Sequence, residues 1–213
     1  MFKLQIKYLS FFFGIVSILS FFNILYSYYF NLYLNLDTYY FTLLASSILF
    51  ITFFKFGKYD IKSNIFQRVL TIFLGYLLIP LVLSIPFYFS IYNLTFSNSF
   101  FEAISGFTST GFTVFENIKL IDQSLIIWRS STQWIGGLYF LFSIIYLIDI
   151  YDDSFKKTLT NFISFNSIEI LNQAVKIFIL YSSLTILIFI ILNIFSIRSF
   201  DSLNLALTII SSG

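Results

Sequence analysis

Four consecutive residues, Thr108-Ser109-Thr110-Gly111, bring together the oxygens that can strip and hold a monovalent cation. Hydroxyls come from three side chains, and a glycine lets the backbone turn its carbonyls toward a common axis. The run follows a short apolar stretch, residues 100–107, that opens with Ser99-Phe100-Phe101-Glu102. Ser99 and Glu102 have capping-box spacing, which predicts a short helix beginning at Ser99. Glu102 then sits near the positive end of the helix dipole, and the negative C-terminal end faces the Thr/Ser run, where it stabilises a cation. A second copy follows further along. Ser199-Phe200-Asp201 leads through an apolar stretch to Thr208-Ile209-Ile210-Ser211-Ser212-Gly213, and aligning Gly111 with Gly213 sets the repeat offset at 102 residues. The candidate cation ligands are therefore Thr108, Ser109, Thr110 and Gly111, with Ser211, Ser212 and Gly213 in the second copy.

Four further residues have the character of supports for these turns. Arg129 is the one basic residue well inside an apolar span. Charge is costly there, and pairing with Glu102 braces the short helix against the span that returns from it. Gly136 and Gly137 are small enough to let helices pack closely. Asp149, Asp152 and Asp153, like Glu116 and Asp122, read as solvated acidic faces.

The elements that position these groups are membrane helices. The 213 residues are 58% hydrophobic and only 10% charged, with a mean hydropathy of +0.90. Soluble domains carry about 25% charged residues. Apolar runs at residues 8–30, 38–54, 69–91, 125–148 and 174–195 are long enough to cross about 30 Å of hydrocarbon. Residues 100–107 and 200–210 are too short to cross and read as re-entrant helices. The first run lacks a small-residue cleavage site and is read as a retained span. Pro80 and Pro86 predict a kink in the third run. Lys3, Lys7, Lys55, Lys58, Lys62, Arg68, Lys156, Lys157 and Lys176 share one side if the N-terminus is cytoplasmic, against Lys119 and Arg198 on the other. Both short segments then enter from the outer face.

Composition also excludes chemistry. With no cysteine and no histidine there is no disulfide, Cys/His zinc site or Ser–His–Asp machinery, so an enzyme is not expected and no cofactor is implied. A net charge of +2 is too small for a nucleic-acid footprint.

Residues 101–111, together with Trp128-Arg129-Ser130 and Gln133-Trp134-Ile135-Gly136-Gly137, resemble the TrkH/KtrB family of potassium transporters. Residues 200–213 resemble that family's second pore loop. The resemblance implies an all-α polytopic membrane protein: two extra N-terminal helices in residues 1–60, a first span–pore-loop–span repeat in 61–153, and a second repeat in 154–213 that is truncated within its filter. It further implies potassium as the transported ion, bound at a filter whose glycines, Gly111 and Gly213, accompany potassium selectivity. It implies multi-pass residence in the cell's inner membrane, a homodimer in the complete form, and a cytosolic nucleotide-binding regulatory subunit of the TrkA/KtrA type. A complete member is about twice as long or more, so the chain reads as an N-terminal portion. The alternative is a non-conducting membrane assembly or scaffold protein derived from such a transporter.

Overall fold

A computed structural model describes residues 7–57, 65–148 and 170–211, and every regular element among them is helical. The helices are α1 (Lys7–Tyr29), α2 (Leu36–Phe56), α3 (Ile65–Leu83), α4 (Ile85–Tyr88), α5 (Phe96–Phe107), α6 (Gln123–Ile148), α7 (Ile170–Ile194) and α8 (Ser199–Ile210). Lys3, Lys58, Lys62, Lys156, Lys157, Asp149, Asp152, Asp153, Ser212 and Gly213 lie outside the described residues.

Four stretches are long and apolar enough to cross a membrane: Lys7–Tyr29, Leu36–Phe56, Ile65–Tyr88 and Ala174–Ile194. In the first two, a hydroxyl stripe turns inward and large apolar side chains turn outward. Ser17 Oγ lies 2.8 Å from Ser46 Oγ, and Ser20 Oγ donates to the Tyr39 carbonyl at 2.7 Å. Phe21, Phe22, Leu25, Phe41, Leu44 and Ile48 are exposed. This is the inverse of a soluble hairpin. Small polar residues join the helices because lipid offers apolar side chains no reason to leave it.

The third run divides at Ser84 into α3 and α4, with Pro80 inside α3 and Pro86 in the first turn of α4. Each proline removes one backbone donor, which frees a carbonyl one turn earlier. The break also leaves the Leu83 carbonyl to the Trp128 indole, which donates to it at 3.0 Å. The bend carries the chain to the end of the bundle from which α5 turns back along α3 and α4.

The fourth apolar run, residues 125–148, forms α6 but is not among the four stretches apolar enough to span on composition. Its 26 residues would extend about 39 Å, ample for a membrane. Its N-terminal half carries Arg129, Ser130, Ser131, Thr132 and Gln133. These polar groups are tolerated because protein covers them: Ser130, Ser131, Thr132 and Gln133 are all buried. Helix α6 is the hub of the bundle, packed on α1, α3, α5, α7 and α8.

Arg68 corrects the sequence reading. Counted among the basic residues that flank the apolar runs, and placed ahead of the run at 69–91, it lies in the first turns of α3 and is buried. Its guanidinium stacks 5.0 Å from the centre of the Tyr146 ring and donates from Nη1 to the Tyr146 carbonyl at 3.0 Å. Tyr146 in turn stacks on Tyr8 at 4.9 Å. A cation at a helix C-terminus, over an aromatic face, is stabilised without water. Lys55 likewise lies within a helix, in the last turn of α2.

Candidate functional site

The short helix α5 is capped four residues before the expected position. Thr95 is the N-cap, and its hydroxyl accepts from the Asn98 amide at 3.3 Å. Ser99 lies inside the helix, where its hydroxyl donates to the Thr95 carbonyl at 3.0 Å. The capping-box assignment of Ser99 and Glu102 is therefore wrong. Only Ser99 has the glutamate three residues on, yet Thr95, followed by Asn98 at that spacing, is the residue that caps. Twelve residues make α5 about 18 Å long, so it cannot span the bilayer.

Glu102 has a different task from capping. Its side chain is 0% exposed, and its carboxylate gathers three donors. Arg129 Nε reaches one oxygen at 2.5 Å; the Thr113 hydroxyl and the Val114 amide reach the other at 3.0 and 2.9 Å. Arg129 is itself only 15% exposed, and its Nη2 donates to the Gly111 carbonyl at 3.1 Å. The expected pairing of Arg129 with Glu102 is present. It does more than brace two helices, because the same two residues strap the outgoing strand of the loop to the side of α5.

The turn between them is a Schellman-type helix end. The Ser109 amide donates to the Gly106 carbonyl at 2.9 Å, and the Thr110 amide donates back to Ser105 at 3.1 Å. This closure puts Ser109 at φ 54°, a left-handed position where glycine is the usual occupant. Gly111 follows at φ 77°, so the second reversal does fall on glycine. The Thr110 hydroxyl donates to the Ser105 carbonyl at 3.0 Å and lies 3.1 Å from the Thr108 hydroxyl. The Ser105 hydroxyl holds the Phe112 carbonyl at 2.7 Å. Among the described residues, the backbone carbonyls of Thr108, Ser109 and Thr110 accept no hydrogen bond. Thr108, Thr110 and Gly111 are exposed, and a Cβ built on Gly111 would meet nothing within 4 Å. The loop thus offers a row of uncommitted oxygens beyond the negative end of α5.

The glycines of α6 receive the ends of both short helices. A Cβ at Gly136 would run into the Phe107 backbone, with its Cα at 2.7 Å. One at Gly137 would lie 2.6 Å from the Tyr181 hydroxyl and 3.0 Å from Ser211 Cα. Gly106 of α5 is equally tight against Thr132 of α6. In the second copy, α8 has the same 12-residue length as α5, starting and ending 103 residues later. That is one residue off the offset from the glycine alignment, a difference within the fraying of a helix end. Ser211 caps α8, and its hydroxyl donates to the Leu207 and Thr208 carbonyls at 3.1 and 2.9 Å.

Several of these contacts were not read from sequence. Thr113, Val114 and Ser105, which tie the loop down, carry no motif of their own. Neither does the contact between the Ser130 hydroxyl and Asn204 Oδ1, which joins α6 to α8. Trp128 did have a signal: an indole donor in an apolar span needs an acceptor, and a proline-broken helix supplies one.

Known proteins agree with this architecture. The family model for TrkH, described as a cation transport protein, matches residues 79–205. A protein of Methanocaldococcus jannaschii, described as an uncharacterized cation transporter, is 28% identical over 150 residues, covering 66% of this chain and 30% of the relative. The Trk system potassium uptake protein TrkH of Escherichia coli K12 is 33% identical over 82 residues, 38% of this chain and 17% of the relative. Among solved structures, the potassium transporter TrkH from Vibrio parahaemolyticus superimposes with a TM-score of 0.74 at 17% identity, covering 97% of this chain and 42% of that one. The chain therefore spans less than half the length of each of these proteins. With more than half of its residues inside the family match, and with the fold shared along nearly its whole length, this multi-pass membrane chain belongs to the TrkH family of cation transport proteins.

Proposed function

We propose that the complete protein carries potassium ions across the cell's inner membrane, and that residues 108–111 form one part of the ion path. The observation that supports this reading is the strapped loop. Glu102 and Arg129 hold residues 111–114 against α5, while the carbonyls of Thr108, Ser109 and Thr110 accept no hydrogen bond among the described residues. Oxygens arranged this way, beyond the negative end of a short helix, replace the water shell of a cation. Arg129 acts as a brace rather than an ion contact, since its charge is neutralised by Glu102 and directed at the Gly111 and Phe112 carbonyls.

In this reading, residues 61–153 are a first span–pore-loop–span repeat and residues 154–213 are part of a second, preceded by two helices. Ser211, Ser212 and Gly213 belong to the second loop. The substrate is the potassium ion, and no catalysis is involved. The complete form is a homodimer that meets a cytosolic nucleotide-binding subunit of the TrkA/KtrA type. The test is flux. The complete protein, reconstituted in vesicles, is expected to take up potassium in preference to sodium and to restore growth at low potassium in cells lacking their own uptake. Absence of cation flux would turn the reading toward a non-conducting assembly protein.

Orientation follows in the same proposal, with the N-terminus cytoplasmic. Lys7, Lys55 and Arg68 gather at one end of the bundle, where the Lys7 backbone adjoins Gly57. Cysteines placed singly at Asn31, Asn93 and Glu116 are expected to react with an impermeant reagent added outside, and one at Phe56 is expected to stay protected. Labelling at Phe56 with protection at Asn93 reverses the assignment.

A further inference from the structure

Arg129 and Gly136 are seven residues apart along α6, and so are Ser130 and Gly137. Seven residues of an α-helix turn through about 700°, so the members of each pair lie within about 20° of one another, and the two pairs sit about 100° apart. One strip serves α5: Arg129 holds Glu102, and Gly136 receives the Phe107 backbone. The adjoining strip serves α8: Ser130 donates its hydroxyl to Asn204 Oδ1, and Gly137 receives Ser211. Glu102 and Asn204 are separated by the offset obtained when Gly111 is aligned with Gly213. Each strip is a polar clamp followed two turns later by a glycine seat, and the two are shifted by a single residue.

We propose that Ser130 and Asn204 are positioning residues for the second hydroxyl-rich loop, in the place that Arg129 and Glu102 hold for the first. A shift of one residue along α6 is about 1.5 Å. Both short helices therefore dock on one rod at nearly the same depth, as they must if oxygens from both loops are to face the same ion. Loss of the second clamp lets α8 slide on its glycine seat and carries its loop out of register with the first. The inference rests on the proposed potassium path.

The test uses the complete protein in vesicles, with flux ratios taken at matched protein amounts. Ser130→Ala and Asn204→Ala are each expected to lower the potassium-over-sodium ratio about fivefold, the factor that one net hydrogen bond carries. The double variant is expected to be no worse than either single one. Ser130→Thr, which keeps the hydroxyl, is expected to retain the ratio. Unchanged ratios in both alanine variants, additive losses in the double variant, or equal losses in Ser130→Thr and Ser130→Ala each overturn the positioning role while leaving the transport reading intact. A complete protein that carries no potassium before any substitution overturns the transport reading itself.

Discussion

Glu102→Gln, with Arg129 left in place, is expected to lower the stability of the folded protein by about 3–5 kcal/mol, the usual cost of breaking a buried ion pair from one side. Glutamine has nearly the shape of glutamate but only one acceptor oxygen. One of Arg129 Nε, the Thr113 hydroxyl and the Val114 amide must then face an amide NH2 instead of an oxygen. In the orientation that keeps Thr113 and Val114 paired, the Arg129 charge, 15% exposed, retains only the Gly111 and Phe112 carbonyls as partners. Arg129→Gln is expected to cost a comparable amount by stranding the carboxylate. Combined, the two substitutions are expected to cost clearly less than their sum, because neither leaves an uncompensated charge behind. Unfolding in detergent, followed across the three variants, measures this. Additive losses would show that the two residues act independently and that the strap is not held by their pairing.

The glycines predict a ranking that separates volume from conformation. Gly136→Ala drives a Cβ into the backbone of Phe107, with Cα at 2.7 Å and the carbonyl carbon at 2.5 Å. Backbone cannot swing aside as a side-chain tip can, so α5 must be pushed off α6. The expected loss is at or above the upper end of the about 1–3 kcal/mol typical of overpacking. Gly137→Ala meets the Tyr181 hydroxyl at 2.6 Å and Ser211 at 3.0 Å; the tyrosine tip can shift, and a smaller loss is expected. At Gly111 the surrounding space is open, and only the positive φ of 77° resists a side chain, at about 1–2 kcal/mol. The yield of folded, monodisperse protein should therefore fall in the order Gly111→Ala, Gly137→Ala, Gly136→Ala, with the last lowest. Normal folding of Gly136→Ala would mean that α5 and α6 do not meet as described.

Much of this arrangement is legible in the residues, for identifiable reasons. Hydropathy and length mark the spans and the two short helices because a membrane imposes a fixed thickness on both. The pairing of Arg129 with Glu102 is legible because a lone charge inside a span demands a partner. Other features are invisible for equally physical reasons. The cap fell to Thr95 and not to Ser99, since the glutamate that completes the box at Ser99 is taken up by Arg129, Thr113 and Val114, partners that spacing does not reveal. Arg68 counts as one more flanking cation in the distribution of charges, yet an aromatic ring and a carbonyl bury it. The polar stretch of α6 weakens its hydropathy just where it becomes central, because its environment is protein rather than lipid. The contact between Ser130 and Asn204 joins residues 74 apart, and only the docking of α8 brings them together.

The central claim, that residues 108–111 line an ion path, is tested most directly by the potassium-over-sodium flux ratio of the complete protein carrying Gly111→Ser, at matched protein amounts in the same vesicles. Folding should be disturbed only by the positive φ, at about 1–2 kcal/mol, because a Cβ at Gly111 meets no neighbour within 4 Å. The left-handed turn, however, resists any residue with a Cβ, and relaxing it re-aims the carbonyls of the loop. The ratio is expected to fall, with potassium losing more than sodium because the larger ion depends on the full set of well-placed oxygens. A ratio equal to that of the unsubstituted protein, with folded protein in the membrane unchanged, would contradict the account and remove this loop from the ion path.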